Sequence, residues 1–510
     1  MGLDMYWIGL LVLVPIVVIV VGYKTILLLV QGTPAEKREL DPLNEDARKL
    51  QWTFLRVYLM VVGSEWLQNP FMYPLFRNEK MLDEATVATL YSSTYVAAAI
   101  SALFTGYLTD RFGRRKACLV FCGIHSLAAV SVCFDGLPIL ILGRVLGGIA
   151  LTLLWTAFES WFIAEYNERG FAQSSVSLSS TFGTMTTYKC ITAIFVGVLG
   201  HGVVLALGSK IHPFIFGVAL DLSAAVLMVW TWNENWGTNS TASSNANDDK
   251  AAEAQKHVPS DEGMKSLWDL RVWAMSFVGC CFEGTIFLFL FFWPETLQDA
   301  HDREYPEQNG PIPHGVIFAS FMAVMVLGAL LYNLVVADPN NSYQESRKHT
   351  VGPTLLLKGA LIASAVCFLA AAFVRQEIGL FISFLLLEVC NGIYVPSVAY
   401  HRGAIVTDDA RARVYSLMNI PLFVFVIIAL RTTANGSGDT ADPGGRGQPI
   451  FLLCAALLLV AALVTSMYLH IGSESPEGFS EIPSQDLAGV DLNMRVARLE
   501  AELNPGAEDV

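Results

Sequence analysis

Charge is the scarce commodity in this chain. Only 15% of its 510 residues are Asp, Glu, Lys or Arg, and 54% are hydrophobic. Soluble domains carry roughly 25% charged residues. The shortage excludes several ordinary water-soluble domains laid end to end, and points to lipid as the solvent. Also missing is a phosphate-cradling P-loop, a nucleophile elbow or a cluster spaced to hold a metal, so ATP-driven and enzymatic chemistry are disfavoured, and no cofactor or metal is expected. The nine cysteines lie inside apolar runs, so no disulfide framework is implied. Cys118, Cys122 and His125 share one helix face but lack a fourth ligand, and read as buried small residues. The formal charge of −14 says little about cargo. Half of it sits after His470, where nine acids meet two bases, and residues 233–267 add six acids and three lysines. Both stretches are polar and Ser/Asn-containing, and are expected to be disordered.

What the chain has in quantity is long apolar runs. A membrane helix needs about 20 mostly apolar residues. Such runs occupy 5–30, 52–76, 85–109, 117–134, 138–163, 175–207 and 213–232, then 267–293, 314–337, 354–373, 379–399, 414–431 and 450–470. The expected architecture is therefore an all-α membrane protein with one leading helix (1–31), a six-helix half (52–232), a cytosolic linker (233–267), a second six-helix half (268–471) and an acidic cytosolic tail (472–510). The stretch Met1–Met5 carries Asp4 and no Lys or Arg, and no small-residue cleavage site follows the run, so it reads as a retained helix. Alternate short loops carry fourteen Lys and Arg residues against seven on the other side. The positive-inside rule then puts the N-terminus outside and the C-terminus in the cytosol.

The loop between the second and third core helices runs Gly106-Tyr-Leu-Thr-Asp110-Arg-Phe-Gly113-Arg114-Arg115-Lys116. It resembles the G-x-L-x-D-R-x-G-R-R/K motif of the major facilitator superfamily. Gly106 is expected to allow close helix approach, Asp110 to pair with the arginines and Gly113 to make the turn. In that superfamily the loop is a gating latch, so the resemblance implies a 6+6 facilitator fold. The halves echo each other. Glu65 and Glu283 lie in the first helix of each half, and Arg144-x-x-x-Gly148 matches Glu388-x-x-x-Gly392, as a parallel repeat predicts.

Residues 64–70, 143–148 with 157–162, 282–293, 315–322 and 388–397 resemble the molybdate-anion transporter family. That resemblance implies uptake of an oxyanion, molybdate, across the plasma membrane. Its partners would be the oxyanion and the lipid bilayer, with no nucleic acid, and a monomer is expected. Composition and periodicity alone do not give this substrate.

An ionisable residue at mid-membrane costs about 2.5–3.5 kcal/mol on insertion scales, so each needs a partner or a purpose. A tetrahedral dianion needs cations and donors in a partly dry site. Arg144 is the first candidate for binding it, with structural pairing to a glutamate as the alternative. Lys189 is the second. Ser177, Thr181, Thr184 and Tyr188 share a hydroxyl face that either donates to the anion or glues helices together. Asn69, Trp66, Gln68 and Trp161 are further candidates for the pocket wall. Glu65, Glu159, Glu283 and Glu388 serve either proton coupling or charge pairing. Three readings remain: an uptake system for molybdate, a facilitator for another small solute, and a transport-inactive receptor or scaffold.

Overall fold

The computed structural model describes residues 2–30, 41–171, 178–236, 269–307, 310–335, 352–405, 411–436 and 448–469. The proposed linker beyond 236, the tail, Ser177 and the polar segment 336–351 lie outside them. Thirteen α-helices appear among the described residues: α1 Gly2–Val30, α2 Asp41–Pro74, α3 Glu84–Phe112, α4 Arg114–Ser131, α5 Leu137–Glu168, α6 Leu178–Leu207, α7 His212–Thr231, α8 Leu270–Glu304, α9 His314–Val335, α10 Pro353–Phe373, α11 Glu377–Ile405, α12 Arg411–Gly436 and α13 Gln448–Tyr468. Helices suit lipid because each satisfies its own backbone hydrogen bonds. Ten are long and apolar enough to cross a membrane. The other three miss that standard for local reasons. The membrane-length part of α2 carries Ser64, Glu65, Gln68 and Asn69; α4 opens on Arg114, Arg115 and Lys116; and the apolar part of α12 is confined to Ile420–Thr432. The chain is a multi-pass membrane protein.

Several helices outrun the apolar runs that announced them. The run at 52–76 belongs to a helix that starts at Asp41, and the run ending at 293 continues to Glu304. Their ends leave the apolar zone as charged turns that hydropathy alone does not register.

The two six-helix groups are built alike. In the first, α5 packs on α3; in the second, α11 packs on α9. The contacts fall at the repeat positions. A Cβ on Gly148 would run into the Thr94 carbonyl of α3, and one on Gly392 would run into the Met325 carbonyl of α9. Small residues at such crossings let backbones meet where no hydrophobic force drives helices together. Arg144 and Glu388, four residues earlier in each helix, are thereby set at matching depths.

The leading helix belongs to neither group. Along its length Val17, with Leu13, Val20 and Val21, packs against Cys190 of α6 and Ala323, Val326 and Leu330 of α9. It therefore touches both halves. Its first turns are tied down by polar contacts: the Tyr6 hydroxyl donates to Glu377 at 2.6 Å, and His301 of α8 lies 3.1 Å from the same oxygen. Trp7 stands against His201 of α6 at 5.7 Å between ring centres.

The end of the bundle that carries Arg111, Arg114, Arg115 and Lys116 is called the basic end below. At the opposite end the halves close on an aromatic cluster. Phe291 of α8 takes the edges of Tyr73 and Tyr91 at 5.1 and 4.8 Å. Tyr95 meets Phe287 at 5.3 Å, and Tyr73 donates a short hydrogen bond to Glu295.

Candidate functional site

The loop of the facilitator motif is a tight corner. Gly113 ends α3 and begins α4 at φ +107°, a conformation open to glycine. Arg114 donates to Asp110 from Nε at 3.0 Å and from Nη2 at 2.8 Å. Arg115 uses its backbone: its N–H donates to Glu234 at 2.9 Å, while its guanidinium donates to the Trp232 carbonyl at 2.7 Å. A carboxylate at the first turn of α4 meets the positive end of that helix. The Arg114 N–H donates to the Asn235 carbonyl at 2.9 Å, and Trp161 donates to the Asn233 carbonyl at 2.9 Å. Residues 233–236, assigned from composition to a disordered linker, thus form the seat of the loop. Gly106 plays no part in close packing, because nothing lies within 4 Å of a Cβ placed on it.

Deeper in the first half, four charges form a column. Arg144 sits seven residues into α5, about 10 Å from its start. Burial is nearly complete, at 4% exposure. Its contacts are poor for a cation: Nη1 donates to the Met72 sulfur at 2.8 Å, the guanidinium lies 5.8 Å from the Phe76 ring centre, and Nε has no partner. A thioether is a weak acceptor. Phe76 reaches this place because Pro70 and Pro74 disturb the end of α2, which widens into a π-turn over Leu75–Glu79. Among the described residues no carboxylate stands within ion-pair distance of Arg144. Glu65 nonetheless feels the charge of both Arg144 and Lys189, and Lys189 in turn reaches Glu159. Along α5, Glu159 lies about 22 Å beyond Arg144. Counted along their helices, Arg144 and Glu65 lie nearer the opposite end, and Lys189 and Glu159 nearer the basic end.

Lys189 rests over the Trp66 ring, 5.5 Å from its centre, and Trp66 meets Phe318 of α9 at 5.4 Å. Tyr188 goes elsewhere, packing on Trp52 at 5.6 Å. Fourteen residues separate Trp52 from Trp66, about 21 Å along α2, so Tyr188 and Lys189 do not converge. The hydroxyl face acts at least partly as glue: Gln51 donates to Thr181 at 3.2 Å. Thr184 and Asn69 are half-buried. Two wall candidates fall away. Trp161 stacks on Trp232 at 3.7 Å beneath the loop seat, and Gln68 is buried and donates to Ser64 at 3.3 Å.

Glu65 has a partner that its own stretch of sequence does not announce. His125 Nε2 lies 2.9 Å from Glu65, and its Nδ1 lies 2.7 Å from Asp221 of α7. Each is a lone ionisable group within an apolar run, the same signal that singled out Glu65.

In the second half, Glu283 is paired with Arg402 at 2.9 Å and accepts from Tyr394 at 3.3 Å. Glu388 is buried at 1% exposure and accepts from Asn391 at 3.0 Å. The structure thus brings Arg144, Glu65 and Lys189 into one neighbourhood and leaves Glu283 and Glu388 in the other half.

A two-part bundle of thirteen helices among the described residues, with charged side chains buried inside it, is the architecture of a membrane transporter of the major facilitator type. A family model described as sugar transporters with twelve transmembrane helices matches residues 18–351. The chain belongs to that family. Among characterised relatives it is similar to the molybdate-anion transporter of Danio rerio, 28% identical over 453 residues, covering 84% of this chain and 89% of that one. The molybdate-anion transporter of Xenopus tropicalis is 26% identical over 434 residues, covering 85% of this chain and 88% of that one. The likeness to molybdate-anion transporters seen in short segments thus extends over most of the chain. A solved structure of an auto-inhibited POT family peptide transporter superposes with a TM-score of 0.65 at 11% identity, covering 84% of this chain and 98% of that one, which speaks to fold alone.

Proposed function

We propose that this chain takes molybdate into the cell across the plasma membrane, by alternating access between its two halves and coupled to protons. The observation that carries the reading is Arg144, buried at 4% exposure with a sulfur and an aromatic face for company. A buried cation without a counter-ion is costly by several kcal/mol, and an arriving anion relieves that cost. Lys189 supplies the second positive charge that a dianion needs, with Glu65 between them as the group that takes up a proton when the anion binds. The names of the relatives support molybdate as that anion. The basic end faces the cytosol in this reading, with the N-terminus outside, the C-terminus inside and the chain working as a monomer. The aromatic cluster around Phe291 then closes the outer side, and the motif loop at the inner side acts as latch.

The test is uptake of molybdate by cells producing the chain, with sulfate as competitor and external pH varied. Accumulation that rises at low external pH and resists excess sulfate is expected. No molybdate accumulation overturns the substrate, whereas accumulation indifferent to pH overturns the coupling alone. A receptor or scaffold would be unaffected by Arg144→Ala in its own signalling and would accumulate nothing.

A further inference from the structure

Anion binding by Arg144 and Lys189 does not by itself require the centre that lies behind Glu65. There a single imidazole bridges two carboxylates from different helices. His125 of α4 is engaged at both nitrogens, Nε2 by Glu65 of α2 at 2.9 Å and Nδ1 by Asp221 of α7 at 2.7 Å. The side chains differ sharply in access: Glu65 is 33% exposed, His125 6% and Asp221 0%. Asp221 Oδ1 has no hydrogen-bond partner. Ser64 Oγ lies 3.5 Å from His125 Nδ1 and donates to the Gly217 carbonyl at 2.9 Å. Phe121 stacks on the imidazole with ring centres 5.2 Å apart, sealing one face.

An enclosed carboxylate with an orphan oxygen is expensive as an anion and cheap as an acid. An imidazole held at both nitrogens can take a proton on one and give up a proton from the other without moving. We propose that Glu65, His125 and Asp221 form a proton relay, with Glu65 as the port to the transport path and Asp221 as the buried store. The step balances. Glu65 gives its proton to Nε2, the Nδ1–H bond breaks, and that proton forms the O–H bond of Asp221. The imidazole ends as the other tautomer, and the reverse transfer restores it. This inference rests on proton-coupled molybdate uptake and names where the proton goes.

The neighbours supply the coupling. Around the relay stand Arg144 of α5, Lys189 of α6, Cys122 of α4 and Tyr95 of α3. With the site empty, Arg144 and Lys189 favour ionised Glu65. When molybdate occupies both cations, its charge cancels theirs at Glu65, which then takes a proton from the same side and passes it inward. Departure of the anion reverses the sequence, so proton and anion travel together.

The test uses the full chain in liposomes, with radiolabelled molybdate and a pH-sensitive dye. Under an inward gradient of one pH unit, each coupled proton supports at most about tenfold accumulation. Wild type should accumulate molybdate and alkalinise the outside. Asp221→Asn and His125→Gln should lose accumulation and dye response, yet keep molybdate–molybdate exchange at equal pH within about threefold, since exchange needs no net proton transfer. Glu65→Gln should lose accumulation and the dye response, its amide keeping the bond to His125. Arg144→Ala should lose exchange as well. Exchange also reports that each variant is folded. Proton-driven accumulation surviving in Asp221→Asn overturns the relay while leaving proton coupling intact. Loss of exchange in both Asp221→Asn and His125→Gln also overturns it, making the pair part of the framework or the anion site. Wild-type exchange without any dye response overturns the coupling and the relay together, and absence of any molybdate movement overturns the substrate with them.

Discussion

Replacing Arg144 with methionine should weaken transport while leaving the fold as stable or more so. The two effects have different sources. A dianion held about 4 Å from the guanidinium gains about 4 kcal/mol per unit charge pair at an effective dielectric of 20. Desolvation offsets much of this, and a hydrogen bond to a charged partner is worth about 1.5–3 kcal/mol net. At about 1.4 kcal/mol per tenfold, that predicts a KM for molybdate raised roughly 10- to 100-fold. Stability should move the other way. The methionine can lie against Met72 and Phe76, where the guanidinium finds only a sulfur at 2.8 Å and a ring face at 5.8 Å. Exchanging a poorly compensated buried charge for packed apolar volume is often neutral or stabilising. Concentration-dependent uptake, corrected for the amount at the cell surface, measures the first effect; thermal melting in detergent measures the second. Arg144→Lys keeps the charge and should fall between. A KM within about threefold of wild type, at normal surface level, would refute the binding role. A sharply lowered melting temperature would show that Arg144 holds helices together.

Four further outcomes follow from other parts of the structure. Tyr6→Phe removes the 2.6 Å bond to Glu377, whose other oxygen is already without a partner. It should cost about 1.5–3 kcal/mol, seen as a lower melting temperature and easier proteolysis of α1. Gly148→Val drives a side chain into the Thr94 carbonyl and to within 2.9 Å of Ala97 Cβ; overpacking of about 1–3 kcal/mol or more should reduce folded yield on gel filtration, and Gly392→Val should match it. Tyr73→Phe deletes the hydrogen bond to Glu295 across the halves. A loss of about 1 kcal/mol shifts the open population at that end about fivefold, read as faster labelling of Phe287→Cys by an impermeant thiol reagent. At the surface, the Lys80 ammonium 2.7 Å from Asp135 holds its carboxyl below the usual carboxylate range. Any stability from this pair is present above the ordinary carboxylate range and lost as pH falls through the depressed value. The carboxylate is exposed and screened, so Asp135→Asn should leave the melting temperature unchanged at neutral pH.

The thirteen helices were legible in the sequence because a membrane helix is a local object. About 20 apolar residues satisfy their own backbone, and nothing distant is needed to predict them. The motif loop was equally local: Asp110 and Arg114 lie four residues apart across the Gly113 corner, so their pairing needs no distant partner. Lone charges in apolar runs also announced themselves, and Glu65, Arg144, Lys189, Glu283 and Glu388 were found that way. What each charge meets was not local. Glu283 could have stood free or paired until α11 brought Arg402 to it across 119 residues of chain. Asp221 reaches His125 across 96 residues. Residues 233–236 look like the start of a polar linker, and only packing turned Glu234 into the carboxylate that seats the loop. The sequence determined where the long apolar helices of this chain lie and which residues pay for being there. Tertiary structure decided which of those residues are compensated and which, like Arg144, have no carboxylate within ion-pair distance among the described residues, because a charge's energy depends on its neighbours in space.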